Sequence, residues 1–408
     1  MTERNQVETS HEPRSPLIGG SVALIAASML TVMAGATISP ALPKMAEHFS
    51  GVENAGFLVK LVVTITALSI AISAPVLGWL NDRFSRALVL KLSVILYAIA
   101  GSAGLWIDDL AVLMVSRSIL GVAVAGAMTA STALISEWFT GERRSRMFGL
   151  QAAASGLGGA AFLSLGGALA DISWNAAFAV YLLSLPVAVL VAWKVTDPPS
   201  LPTSKTAHQS LPSPKATGLI AGIVVLAFVI QIVFYVVPTQ LPFLLGTMDV
   251  DASTTGLVIG WMVLVQALAS LGYRWVSRLG FRNVALLSMV LMSAGMATVG
   301  TSESIAQVVA GLSISALGVG LVMPNLNSWI SVSTSSANRA QAIGALISAM
   351  FLGQFASPLI AEMIIRGGGT AQAFLAAAVL ALVTAGAVFA ISTSKIRQST
   401  SRKKAKDS

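Results

Sequence analysis

The stretch GWLNDRFSRALVLK, Gly78 to Lys91, sets Asp82, Arg83, Arg86 and Lys91 close together in a chain with only 10% charged residues. A carboxylate beside guanidinium groups can form an ion pair that makes and breaks, or take up a proton. Lys60, Arg117 and Glu362 also fall within or at the ends of apolar runs. Arg117 is the deepest, roughly 13 Å into its run at 1.5 Å per residue. A central arginine costs about 2.5–3.5 kcal/mol on insertion scales and marks a functional site by default. Other chemistries are missing from the sequence. With no cysteine there is no disulfide, thiolate metal site or cysteine nucleophile. His11, His48 and His208 lie in tails or loops, so they offer no buried relay or metal cage. No G-x-x-x-x-G-K-[ST] loop and no metal or nucleophile constellation occurs, which disfavours ATP-driven transport and enzymatic chemistry respectively.

The elements that must position these groups are apolar. The chain is 55% hydrophobic with a mean hydropathy of +0.81, whereas soluble domains carry about 25% charged residues. Such a chain belongs in a bilayer, where a spanning helix needs roughly 20 mostly apolar residues. Twelve runs qualify: 17–42, 56–78, 88–107, 109–135, 146–170, 175–195, 218–245, 254–273, 283–301, 304–330, 340–365 and 371–393. The first run shows no cleavage site and reads as a retained span. Thr196 to Gly218 is rich in Pro, Ser and Thr and reads as a flexible connection. The expected organisation is a tail (1–16), a six-helix bundle (17–195), a linker (196–217), a second six-helix bundle (218–394) and a basic tail (395–408).

Charge sets the expected orientation. Of the 25 Lys and Arg, all but Lys44, Lys60, Arg117 and Arg366 fall on the side of the termini, the cytoplasmic side by the positive-inside rule. Asp108, Asp109, Asp171, Asp249, Asp251 and Glu303 occupy the opposite loops. The net charge of +8 is therefore a topology signal and not a nucleic-acid footprint. At the offset that lays Arg144 on Arg339, Gly149 meets Gly344 and Gly158 meets Gly353. A parallel repeat of six helices points to a two-bundle transporter with a midplane site.

Gly78, Leu80, Asp82, Arg83 and Arg86 resemble the loop 2–3 signature of the major facilitator superfamily, G-x-L-x-D-R-x-G-R-R, with Ser85 and Ala87 as departures. Arg117 and Gly121 look like its fourth-helix R-x-x-x-G element, and SEWFTGERRSRMFGL like its loop 4–5 pattern. The runs SPALP and FLGQFASPLI are similar to bacterial drug and metabolite exporters of the 12-helix group. The resemblance implies an all-α membrane fold of twelve helices in two pseudo-symmetric six-helix bundles. It also implies a cytoplasmic gating latch of Gly78, Asp82, Arg83, Arg86 and Glu137. In that latch Asp82 faces the start of the eleventh helix near Arg339, and Arg86 pairs with Glu137.

Coupling is the open question. The exporters' first-helix carboxylate is Ala36 here, and the fifth-helix Gly-Pro pair is Phe162-Leu163. The candidate protonation sites are Asp82 and Glu137 at the gate and Glu362 at the outer end of helix eleven, although Glu362 and Arg366 first read as a surface pair. Transport without protons is the other choice. Lys60 either snorkels to the interface or joins Arg117 in a positive cavity for an anion. Gln231, Tyr235, Gln266, Asn325 and Gln354 are midspan groups that either bond between helices or line a pocket, with Trp261 as an adaptable apolar wall. The expectation is export of a small amphipathic compound or drug by alternating access, driven by a proton gradient and without a bound cofactor or metal. The alternative is an organic-anion carrier built on Arg117, and a sensor that moves nothing is a third class. The expected partners are a small-molecule substrate and the bilayer of a bacterial cytoplasmic membrane. Nucleic acid is not expected, and the expected state is a monomer.

Overall fold

In a bilayer every backbone polar group must be satisfied within the protein, so a chain this apolar can cross only as helices or a closed barrel. The computed structural model describes residues 18–197 and 214–404, without the side chains of Ile18, Asp82, Ser336, Ala337 and Ala340 or those of 214–217 and 391–404. It contains twelve helical spans: α1 (Gly19–His48), α2 (Ala55–Asn81), α3 (Arg86–Leu105), α4 (Leu110–Trp138), α5 (Gly141–Ile172), α6 (Ala176–Lys194), α7 (Gly218–Gly246), α8 (Ala252–Leu279), α9 (Phe281–Gly300), α10 (Ile305–Ser333), α11 (Gln341–Gly368) and α12 (Thr370–Ala390). Tail 1–16, linker residues 198–213 and the last four residues lie outside the described residues.

Local chemistry sets the helix ends. Asp109 and Asp251 each cap the following helix by accepting the backbone N–H three residues on, from Val112 at 2.9 Å and Thr254 at 2.6 Å. In α1 the chain leaves the α-helix after Ala36, passes through a 3-10 turn at Ser39–Ala41 around Pro40, and resumes at Leu42–His48. Proline's missing N–H and its steric demand on the preceding residue account for the break.

Two apolar cores form. One draws on α1–α6 through residues such as Leu24, Val63, Leu120 and Phe178, the other on α7–α12 through Ile230, Met292, Leu312 and Phe374. The twelve-helix, two-bundle fold expected from the sequence is thus the fold observed. A few residues cross over: Tyr235 and Ala252 pack into the first core and Leu163 into the second. The halves meet mainly where α5 packs on α8 and α2 on α11. Apolar area cannot drive helices together in lipid, so small residues and close packing do the work. A Cβ on Gly167 would sit 2.4 Å from the Ala252 carbonyl oxygen, and one on Gly256 2.5 Å from that of Leu163. Consecutive spans alternate in direction, which gives an acidic face carrying Asp108, Asp171 and Glu303 and a basic face carrying Arg83, Arg144 and Arg278.

Candidate functional site

Ionic contacts across the halves occur at the acidic face. Lys60 on α2 reaches Glu362 on α11, with Nζ 3.6 Å from Oε2, and the two side chains are only 7% and 19% exposed. Arg366 approaches the other carboxylate oxygen at 3.6 Å from one turn along α11. The Lys60 ammonium also stands 4.8 Å from the centre of the Phe243 ring on α7. Lys60 therefore does not snorkel to the interface, because a carboxylate of the other half lies within its reach. Likewise Glu362 is more than half of a surface pair with Arg366.

A second contact at this face was not legible in the sequence. Asp171, at the end of α5, accepts the backbone N–H groups of Ala252 and Ser253, each at 3.0 Å, and the Ser253 hydroxyl. It thereby caps the start of α8 from the opposite half, where helix-terminal N–H groups and dipole both favour an anion. Asp251 caps the same helix from within the chain. Lys44 holds the end of α5 in turn, donating to the carbonyls of Ala170 and Asp171 at 2.9 and 3.0 Å.

At the basic face the contacts of the α2–α3 turn lie within the first half. Arg86 pairs with Glu137 of α4. Asp197 accepts the Ser85 hydroxyl and the Ala87 N–H, the latter at 2.9 Å, and so caps α3 together with Ser85. Arg83 lies over the Trp79 ring, 4.5 Å from its centre. The side chain of Asp82 lies outside the described residues. A Cβ added at Gly78, Gly149 or Gly344, in the basic-face halves of α2, α5 and α11, would meet nothing within 4 Å.

Arg117 takes a different place from the cavity-lining one expected. It is 1% exposed inside the first half. Its Nη2 donates to the carbonyls of Ala100 and Gly101 at 2.7 and 2.5 Å. Those are carbonyls near the end of α3's α-helical part, where the i→i+4 pattern of backbone partners runs out. The guanidinium also lies 4.9 Å from the ring centres of Phe178 and Tyr181 on α6. The arginine closes a helix terminus, and two aromatic faces shield it.

The polar candidates divide. Asn325 is fully enclosed in the second half, donating to the Phe281 carbonyl at 2.8 Å and accepting from the Tyr273 hydroxyl at 3.3 Å, so it ties α8, α9 and α10 and lines no cavity. Trp261, 48% exposed, donates to the Ser313 hydroxyl at 3.0 Å and lines a flank groove of about 570 Å³ walled by α5, α8 and α10. The Tyr235 hydroxyl crosses to α1, where a Cβ on Gly35 would come within 2.6 Å of it. Gln266 and Gln354 are half-buried, and among the described residues their amides have no partner. The buried Oε1 of Gln231 is unpartnered, as are both amide atoms of Gln240, which the sequence reading passed over. In the first half, Gln151 donates to the Ser28 hydroxyl of α1 at 2.8 Å. The amides left free for a ligand thus lie on α7, α8 and α11.

The model of the family described as Major Facilitator Superfamily matches residues 24–263 and 223–408. Over 348 residues the chain is 30% identical to the tetracycline resistance protein, class G, of Vibrio anguillarum, covering 81% of this chain and 86% of that protein. A bacterial homologue of the human lysosomal transporter Spinster, solved inward-facing and unoccupied, superposes with a TM-score of 0.74 at 16% identity, over 93% of this chain and 98% of that one. The human organic anion transporter MFSD10 (TETRAN) gives a TM-score of 0.70 at 18% identity, over 91% and 99%. At those identities the two structures speak for the fold alone.

Proposed function

The chain belongs to the major facilitator superfamily of membrane transporters, and from that premise we propose that it exports a small amphipathic, drug-like compound by alternating access, coupled to protons. The observation that carries this reading is the difference between its two faces. Lys60–Glu362, Asp171 on α8, and the close approach of Gly167 to Gly256 join the halves at the acidic face. Toward the basic one, the Arg86–Glu137 pair and the Asp197 cap on α3 stay within the first half. A carrier whose halves are joined at one face occupies one of the two states that alternating access requires. With the basic face cytoplasmic, as the Lys and Arg bias favours, that state receives substrate from the cell interior. Gln231, Tyr235, Gln266 and Gln354 are the groups assigned to meet the substrate. Arg83, Arg86 and Glu137, with Asp82 and Gly78, are assigned to closing the cytoplasmic side.

The kinship with a tetracycline resistance protein supports a drug as substrate. The fold likeness to an organic anion transporter supports carriage of an anion as the second reading. With Arg117 sealed inside the first half, the cation available to such an anion between the halves is Lys60.

Proteoliposomes holding a pH dye and presented with tetracycline, lipophilic cations and organic anions test the two. The expected result is drug flux with opposing proton movement. Anion flux without proton movement would transfer the assignment to the second reading. No flux of any of these compounds would overturn both.

A further inference from the structure

Glu362 sits about 9 Å below the acidic end of α11, counting six residues to Gly368 at 1.5 Å per residue. Its oxygens face Lys60 of the other half and Arg366 of its own helix. The elements packed on α11 are α2, α7, α10 and α12. In their acidic-face halves the only other ionisable side chain is Tyr235 of α7, which is turned to Gly35 of α1. Phe243 of α7 covers the Lys60 ammonium. In the adjoining turn, Lys44 and His48 are engaged by Asp171 and Asp108, while Glu47 and Glu53 are exposed. Lys60 and Arg366 are thus the charges Glu362 meets, and only Lys60 belongs to the other half.

An ion pair that spans the halves must break when that face opens. Protonating the carboxylate removes one charge of the pair, and with it the attraction holding α2 to α11. Opening and protonation therefore favour each other, and linkage makes the effect reciprocal. Resting on the transporter reading, we propose that Glu362 is the group that carries the coupling proton, and that Lys60 displaces this proton when the acidic face recloses. A proton from bulk water adds to the carboxylate on the open acidic side. On reclosing it leaves to water on the basic side, while the ammonium takes its place as counter-charge. The scheme needs no acid in α1, where Ala36 stands.

The chain has no cysteine, so one introduced thiol reports alone. Ser39 is fully buried in the 3-10 turn of α1, which packs on α7 and α8 of the other half, and S39C is a near-isosteric reporter of opening. Its labelling by a membrane-impermeant maleimide is measured against external pH and normalised to the exposed position in S50C. Normalised labelling is expected to rise about tenfold as the external pH is lowered, within the range typical of coupled sites. In E362Q it is expected to be high and independent of pH, and in K60Q high already at neutral pH. In proteoliposomes E362Q is expected to exchange tetracycline down its gradient while moving no protons. Labelling of the parent that ignores pH, or proton flux in E362Q equal to the parent's, would overturn the proposal. Should the parent move no drug, the transport reading fails, while the labelling arm still decides whether protonation of Glu362 opens this face. If E362Q does not insert, K60Q removes the same pair from the other side, and low parental labelling in K60Q at neutral pH would refute the coupling.

Discussion

Replacing Asp171 should release the acidic face. The carboxylate accepts three hydrogen bonds from the first residues of α8, and its side chain is 32% exposed. An N-terminal cap is typically worth about 0.5–2 kcal/mol, and a charge on a helix dipole about 0.3–1 kcal/mol. Partial exposure discounts the ionic part. We therefore take about 1–2 kcal/mol for the contact, a factor of about 5–30 in the ratio of closed to open molecules. In the S39C background, D171A should raise maleimide labelling from the acidic side by that factor. D171N keeps an acceptor oxygen and loses the charge, so only the dipole share disappears and labelling should rise about 2- to 5-fold. Thermal unfolding in detergent checks that both variants fold. The reasoning is refuted if D171A labels within a factor of about two of its parent, or if D171N opens the face more than D171A.

Other consequences follow from the same geometry. R117A strips the carbonyls of Ala100 and Gly101 of their donor and should cost about 1–3 kcal/mol, read as a lower melting temperature; unchanged melting with lost substrate affinity would return Arg117 to the binding site. G104A drives a Cβ to 2.4 Å from the Phe178 ring and should cost about 1–3 kcal/mol of overpacking in the same assay. G167V forces α5 away from the Ala252 carbonyl, so S39C labelling should rise while the basic-face pair of Arg86 and Glu137 is untouched. E137Q leaves Arg86 without that carboxylate at the start of α3, where the dipole already disfavours a cation; drug flux in proteoliposomes should fall several-fold, and unchanged flux would remove the pair from the gate.

Much of the molecule is legible in the chain because its causes are local. Twelve apolar runs of spanning length become twelve helices wherever lipid excludes every other way of satisfying the backbone. Pro40 breaks α1 and Asp251 caps α8 for reasons contained within a few residues. The signature around Asp82 to Arg86 names the family without reference to any contact. What the chain could not disclose is which ion meets which. Lys60 and Glu362 lie in different halves of the sequence, and on each helix alone they have blander readings, as a snorkelling lysine and as an i,i+4 pair. Asp171 looks like one more acid in an outer loop until α8 arrives to place its N–H groups against it. Arg117 looked functional because a lone arginine in lipid is costly, yet part of that cost is met by carbonyls near the end of α3, which its Nη2 reaches, and by two rings of α6, while Nε and Nη1 stay unpartnered. Depth, span and topology come from composition and pattern along one helix. Pairing comes from which faces the two bundles press together, and only the tertiary structure decides that.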